Sequence, residues 1–213
     1  MNKGVRHATG DYCLFLNSGD CLHDENTIAE ILPHLGGEDL VIGKTMFLNN
    51  MSTSVVEAPI TMRRLYVGSL PHPATFIKTD LLRENPYDES LKIVSDWKFF
   101  LQEVILNNCT YKIVDTIVSD FDCEGISSQN RDLCAAEREK VMKELLPERV
   151  LLDYYKSING QGYEETAYDK FFLKLRDYNY GKVIYTMSVL LMKFVAIFRK
   201  GARFSRNYPN KLS

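Results

Sequence analysis

Three short stretches hold the residues whose types could do chemistry. Asn17-Ser18-Gly19-Asp20 follows the apolar run DYCLFL, His72 stands between Pro71 and Pro73, and Asp96 follows Ser95 in KIVSDWKFFL. Carboxylates accept protons and bind hard cations through oxygen, and an imidazole can transfer a proton near neutral pH. Loops at the carboxyl ends of strands are where open α/β sheets bind ligands, so Asn17 to Asp20 is the first candidate site. Each residue also has an ordinary structural reading. Asn-Ser-Gly-Asp is turn chemistry, an acid in the first turn of a helix is favoured by the macrodipole, and a histidine between prolines can be a hydrogen-bonded loop residue. Taken singly, the types leave both readings open.

The elements that must position these residues follow from apolar patterning. Residues 11–16 have the length and composition of a buried strand, and Asp24 or Asn26 can cap a helix running to Leu35, which Gly36-Gly37 stops. DLVIGKTMFL from Asp39 reads as a strand with a bend at Gly43, Val55 to Ala58 as its hairpin return, and Ala74 to Lys78 as a further strand. Ser95 to Asn107 has apolar residues at 97, 100, 101, 104 and 105, the spacing of a helix with Ser95 as its cap, and Tyr111 to Val118 is a β-branched strand. The order is that of an α/β fold. From Arg131 onward strand signals vanish, and Glu137, Glu139, Lys140, Lys143 and Glu144 alternate charge as on a solvated helix. A boundary is placed near residue 129, in the Gly125-Ile126-Ser127-Ser128 loop, giving an α/β part over 1–129 and a helical extension over 130–213.

Composition narrows the function classes. The 213 residues are 45% apolar and 25% charged with a formal net charge of −2, so the chain lacks the basic field of a nucleic-acid binder. Five cysteines without a Cys-x-x-Cys pair indicate neither a disulfide framework nor structural zinc, and reduced, mostly buried thiols are expected. Lys3 and Arg6 precede turn and acidic residues rather than an apolar stretch, so a cytoplasmic chain is expected.

Taken in order, MNKGVRHATGDYCLFLNSGD, LPHPATFIK, YDESLKIVSDWKFFL and GISS resemble the second half of a family-two glycosyltransferase, over roughly the first three fifths of the chain. The resemblance implies a partial A-type fold, a mixed sheet with flanking helices followed by a helical C-terminal region. It implies an inverting transferase that moves a sugar from a nucleotide-diphosphate donor to a glycan or lipid-linked acceptor in polysaccharide or glycolipid assembly. Carried over residue by residue, Asp20 is the last acid of the metal-binding loop that holds manganese or magnesium against the diphosphate, with Asn17 in the same loop. His72 is a contact to the leaving group or the metal, and Asp96 is the catalytic base. The family often has acids where this chain has Gly19 and Asn17, which leaves fewer carboxylates for a cation. Direct displacement needs these types: a carboxylate takes the acceptor's hydroxyl proton and a cation neutralises the departing phosphates.

The resemblance also implies that the strands gripping the base and ribose precede the matched stretch and have no counterpart here. A non-catalytic binding or partner module is therefore the alternative reading. Near the C-terminus, Val183, Met187, Leu191, Phe194 and Phe198 mark one face of a helix, and seven basic residues with no acidic one follow Asp177. Residues 181–213 are therefore expected either to lie on an anionic membrane surface, making the protein peripheral on the cytoplasmic face, or to pack as an ordinary helix. Lys193 interrupts the apolar run short of the about 20 residues that span a bilayer.

Overall fold

The computed structural model describes residues 1–122 and 130–158, with Met187 and Leu191. The expected Gly125–Ser128 loop and nearly all of residues 181–213 lie outside the described residues. One compact unit runs from Met1 to Leu151.

The elements of the described residues, in chain order, are α1 (Asn2–His7), β1 (Tyr12–Cys13), β2 (Cys21–Leu22), α2 (Thr27–Ile31), β3 (Leu40–Phe47), β4 (Ser52–Thr53), α3 (Met62–Val67), β5 (Thr75–Lys78), α4 (Thr79–Glu84), α5 (Ser95–Phe100), β6 (Tyr111–Phe121), α6 (Arg131–Leu145) and α7 (Glu148–Ile158). A π-helical turn, Leu101–Leu106, extends α5. The sheet runs β1-β5-β3-β6-β2, with β4 paired to β3; β3 and β6 are parallel and every other pairing is antiparallel. This is a mixed, curled sheet with flanking helices, the architecture that the sequence resemblance implies.

The centre is β3, where Leu40, Val41 and Ile42 are wholly buried as a continuous apolar run, the pattern of a strand covered on both faces. Val41 of β3 packs with Ile31, Ala74, Phe76, Val114 and Val118 in a core drawn from α2, β5 and the turn before it, and β6. Gly43 marks the expected bend: the β3–β6 register shifts on both sides of Lys44, and a Cβ at position 43 would lie 2.5 Å from Val118 Cγ2 and 2.9 Å from the Thr116 carbonyl oxygen. Only glycine lets the two strands approach so closely. On α5, Trp97, Phe100, Leu101 and Val104 are buried at the positions that the apolar spacing marks, each side chain contributing about 1.5–3 kcal/mol by its removal from water.

Several expectations need correction. The strand at 11–16 pairs only through Tyr12 and Cys13, because the following residues leave β5 to form the Asn17–Asp20 turn. The hairpin return is Ser52–Thr53 rather than Val55–Ala58. Ser95 does not cap α5: it is the first helical residue, the cap is Val94, and no side chain of α5 itself caps the helix. Glu137 is not on a solvated face but is 8% exposed. The cysteines at 13, 21, 109 and 134 are free thiols as expected, yet Cys21 is exposed and the other three are half-buried.

Candidate functional site

The turn after β1 is closed on itself. The Asp20 amide donates to the Asn17 carbonyl at 3.0 Å, and the Asn17 amide donates to Asp20 Oδ2 at 3.1 Å. The Asp122 amide donates to Asp20 Oδ1 at 3.4 Å, tying the turn to the end of β6. Gly19 has a φ of +98°, and a Cβ there would meet Asp122 Oδ2 at 3.0 Å and Asp122 Cβ at 3.1 Å. Position 19, where the sequence resemblance leads one to expect an acid, is thus built for glycine: the backbone is in a region that L side chains disfavour, and the space is taken by Asp122.

His72 lies in the short helical turn His72–Ala74 that leads into β5. Its ring is buried, stacked on Phe15 at 5.3 Å between centroids and 12° between planes, with Nε2 3.0 Å from the Tyr87 hydroxyl. Burial lowers the His72 pKa, an effect that the charges of Asp96 and Asp20 partly oppose, so the imidazole is neutral at pH 7. Burial, reinforced by the Asp96 charge, raises the Tyr87 pKa, which keeps the phenol protonated.

Asp96 occupies the first turn of α5. Trp97 beside it donates from Nε1 to the Leu65 carbonyl at 2.6 Å, fixing the helix start against α3. The Asp96 carboxylate is half-buried, and among the described residues no hydrogen bond is made to it.

These residues converge. Asn17, Asp20, His72 and Asp96 all line one open cleft of about 730 Å³. Asp122, Lys92, Arg64, Arg138 and Phe121 share its walls and were not singled out by the sequence. Asp122 is the last residue described beyond β6, and Arg138 comes from α6, neither marked by a motif. Among the described residues no three His, Cys, Asp or Glu side chains are arranged to hold a metal ion.

No family model matches the chain. It is 25% identical over 138 residues to an uncharacterized glycosyltransferase of Mycobacterium tuberculosis (strain ATCC 25618 / H37Rv), covering 60% of this chain and 51% of that protein. It is 30% identical over 103 residues to a PGL/p-HBAD biosynthesis glycosyltransferase of Mycobacterium bovis (strain BCG / Pasteur 1173P2), covering 46% of this chain and 40% of that one. The chain therefore spans about half the length, or less, of the curated relatives it matches (51% and 40%). Among solved structures, S. aureus TarS 1–349 in complex with UDP-GlcNAc aligns with a TM-score of 0.47 and 18% identity, over 82% of this chain and 55% of that one. The likeness to glycosyltransferases read from the four motifs is thus found independently among curated proteins of that name.

Proposed function

We propose that these residues form the phosphate-side and acceptor-side part of an inverting glycosyltransferase, which moves a hexose-type sugar from a nucleotide-diphosphate donor to a glycan or lipid-linked acceptor. The observation that carries the reading is convergence: three separate segments bring Asp20, His72 and Asp96 to one cleft, with both carboxylates near enough to act on the His72 ring electrostatically. Likeness to curated glycosyltransferases, one of them named for PGL/p-HBAD biosynthesis, supports the same class.

In this reading Asp96 takes the proton of the attacking hydroxyl as the carbon–oxygen bond to the acceptor forms and the bond to the diphosphate breaks. Its position at the start of α5, flanked by Ser95 and Trp97, holds it on the cleft wall with no competing hydrogen bond among the described residues. His72 acts as a neutral ring. A Tyr87 hydroxyl that donates to Nε2 would leave the ring proton on Nδ1, the tautomer that could donate to a phosphate oxygen. Asp20 would hold a manganese or magnesium ion together with the diphosphate, and that ion would offset the charge on the leaving group.

The proposal extends to the membrane through the sequence of residues 181–213. Met187 and Leu191, one helical turn apart, are 66% and 63% exposed, and basic residues surround the segment. Among the described residues no helix is long and apolar enough to cross a membrane. Contact with an anionic surface would bring the cleft to a lipid-linked acceptor.

The test is nucleoside-diphosphate release from a panel of UDP-, GDP- and dTDP-sugars by the protein that contains this chain, with and without manganese or magnesium. Release with at least one donor, dependent on the cation and lost in Asp20→Asn, is expected. No release from any donor, with or without glycan and lipid-linked acceptors, would favour the non-catalytic binding module.

A further inference from the structure

Helix α6 lies beyond all four stretches that carry the family resemblance, yet its buried face grips the segment bearing Asp96. Glu137 Oε1 accepts the Lys92 amide at 2.8 Å, and Oε2 accepts the amides of Ile93 at 3.0 Å and Val94 at 3.2 Å. Val94 is the cap of α5, which has no side-chain cap of its own, so Glu137 supplies from a distant helix the acceptor that no side chain of α5 provides. Burial by itself would raise the Glu137 pKa, but the three amides outweigh it and hold the carboxyl below its ordinary value.

The next residue braces the other side of Asp96. Arg138 donates to the carbonyls of Tyr66 at 3.3 Å and Gly68 at 2.9 Å, and its guanidinium lies 4.8 Å from the centroid of the Trp97 ring. One helical turn or two further on, Glu144 reaches Lys98 at 2.8 Å, and Lys98 also holds Asp88 at 2.8 Å. Val94, Trp97 and Lys98 are thus all fixed by α6, while Asp96 between them is not. Glu137 itself does not line the cleft.

We infer that Glu137 is a positioning residue for Asp96: by binding the three amides of 92–94 it sets where the α5 start, and so the carboxylate, stands against the acceptor. This rests on the reading of Asp96 as the base. A carboxylate that is displaced by even about 1 Å can lose roughly a hundredfold in rate, whereas binding of a donor elsewhere in the cleft changes little.

The test compares Glu137→Ala, Glu137→Gln and Asp96→Asn in the protein that contains this chain, using nucleoside-diphosphate release from the donor of the UDP-, GDP- and dTDP-sugar panel that turns over fastest. Val118→Ala, a core change in β6, serves as a control for general destabilisation. At a temperature where all variants are folded, Glu137→Ala should lose roughly ten- to a hundredfold in kcat with donor KM within about twofold. Glu137→Gln, which keeps one acceptor oxygen, should recover part of the loss, and Val118→Ala should keep the wild-type kcat. Hydrogen exchange gives a readout independent of turnover: the amides of residues 92–94 should exchange faster in Glu137→Ala than its loss of global stability accounts for. Wild-type kcat in folded Glu137→Ala, a loss confined to KM, or unchanged exchange at 92–94 would overturn the inference. If Asp96→Asn turns over normally, the base reading fails and this one with it; if Asp96→Asn is inactive while Glu137→Ala is not, the positioning role alone fails.

Discussion

Substituting Gly19 tests whether the local geometry, rather than drift, excludes an acid from the turn that carries Asp20. At a φ of +98° an L side chain costs about 1–2 kcal/mol in backbone strain. The added Cβ also meets Asp122 at 3.0 and 3.1 Å, closer than ordinary contact, and relieving that crowding costs about 1 kcal/mol more. Restricting the unfolded chain returns about 0.4–1 kcal/mol, so Gly19→Ala should lose about 1–2.5 kcal/mol net, or about 2–10 °C in Tm for a domain of this size. Urea and thermal unfolding of Gly19→Ala, Asp122→Ala and the double variant form a cycle. Because Asp122→Ala removes the carboxylate but keeps the Cβ, the Oδ2 part of the crowding should appear as a coupling of about 0.5 kcal/mol, with the double variant more stable than the sum of the single losses. Gly19→Asp should be at least as unstable as Gly19→Ala, because it adds a third carboxylate beside Asp20 and Asp122. A Gly19→Ala protein as stable as wild type, or a cycle without coupling, would refute the reasoning.

At the sheet centre, Gly43→Ala forces a Cβ onto Val118 and a backbone carbonyl, and should cost about 1–3 kcal/mol, read as a fall in urea midpoint. Because burial lowers the His72 pKa, the unfolded chain binds a proton that the native state does not once the pH falls below about 6.5. Stability should therefore drop between pH 7 and 5 by up to about 1.4 kcal/mol per pH unit for this group, and His72→Gln should flatten the slope in chemical unfolding. Co-sedimentation with liposomes should show binding that rises with anionic lipid, falls with salt and disappears when residues 181–213 are deleted; equal recovery of both chains in the supernatant at low salt would leave that segment an ordinary packing surface.

What was legible in the sequence were the elements with strong local signals. The continuous apolar run at 40–42, the bend at Gly43 and the β-branched strand from Tyr111 appear where patterning puts them, and the apolar spacing of 97–104 marks the buried face of α5. The joint order of four motifs located the cleft residues Asn17, Asp20, His72 and Asp96 although their separation in the chain conceals their proximity. The rest depended on long-range contacts. Helices α1, α3 and α4 are only six residues each, too short to show a period. Ser95 looked like a cap because its type suits one, but the amides before it are taken by Glu137, 43 residues beyond Val94. Glu137 and Glu144 alternate with lysines as on a solvated surface, and only the packing of α6 reveals that both are used against α5 and its entry loop.

The central claim is that Asp96 accepts the acceptor's proton at the edge of this cleft. It is tested most directly by Asp96→Asn in the protein that contains this chain, which keeps the shape of the side chain and removes its basicity. The account predicts a fall of roughly a hundred- to ten-thousand-fold in the rate of sugar transfer, with donor affinity measured by calorimetry unchanged. Normal turnover in the Asn variant would contradict it and leave Asp96 an ordinary acid at a helix start.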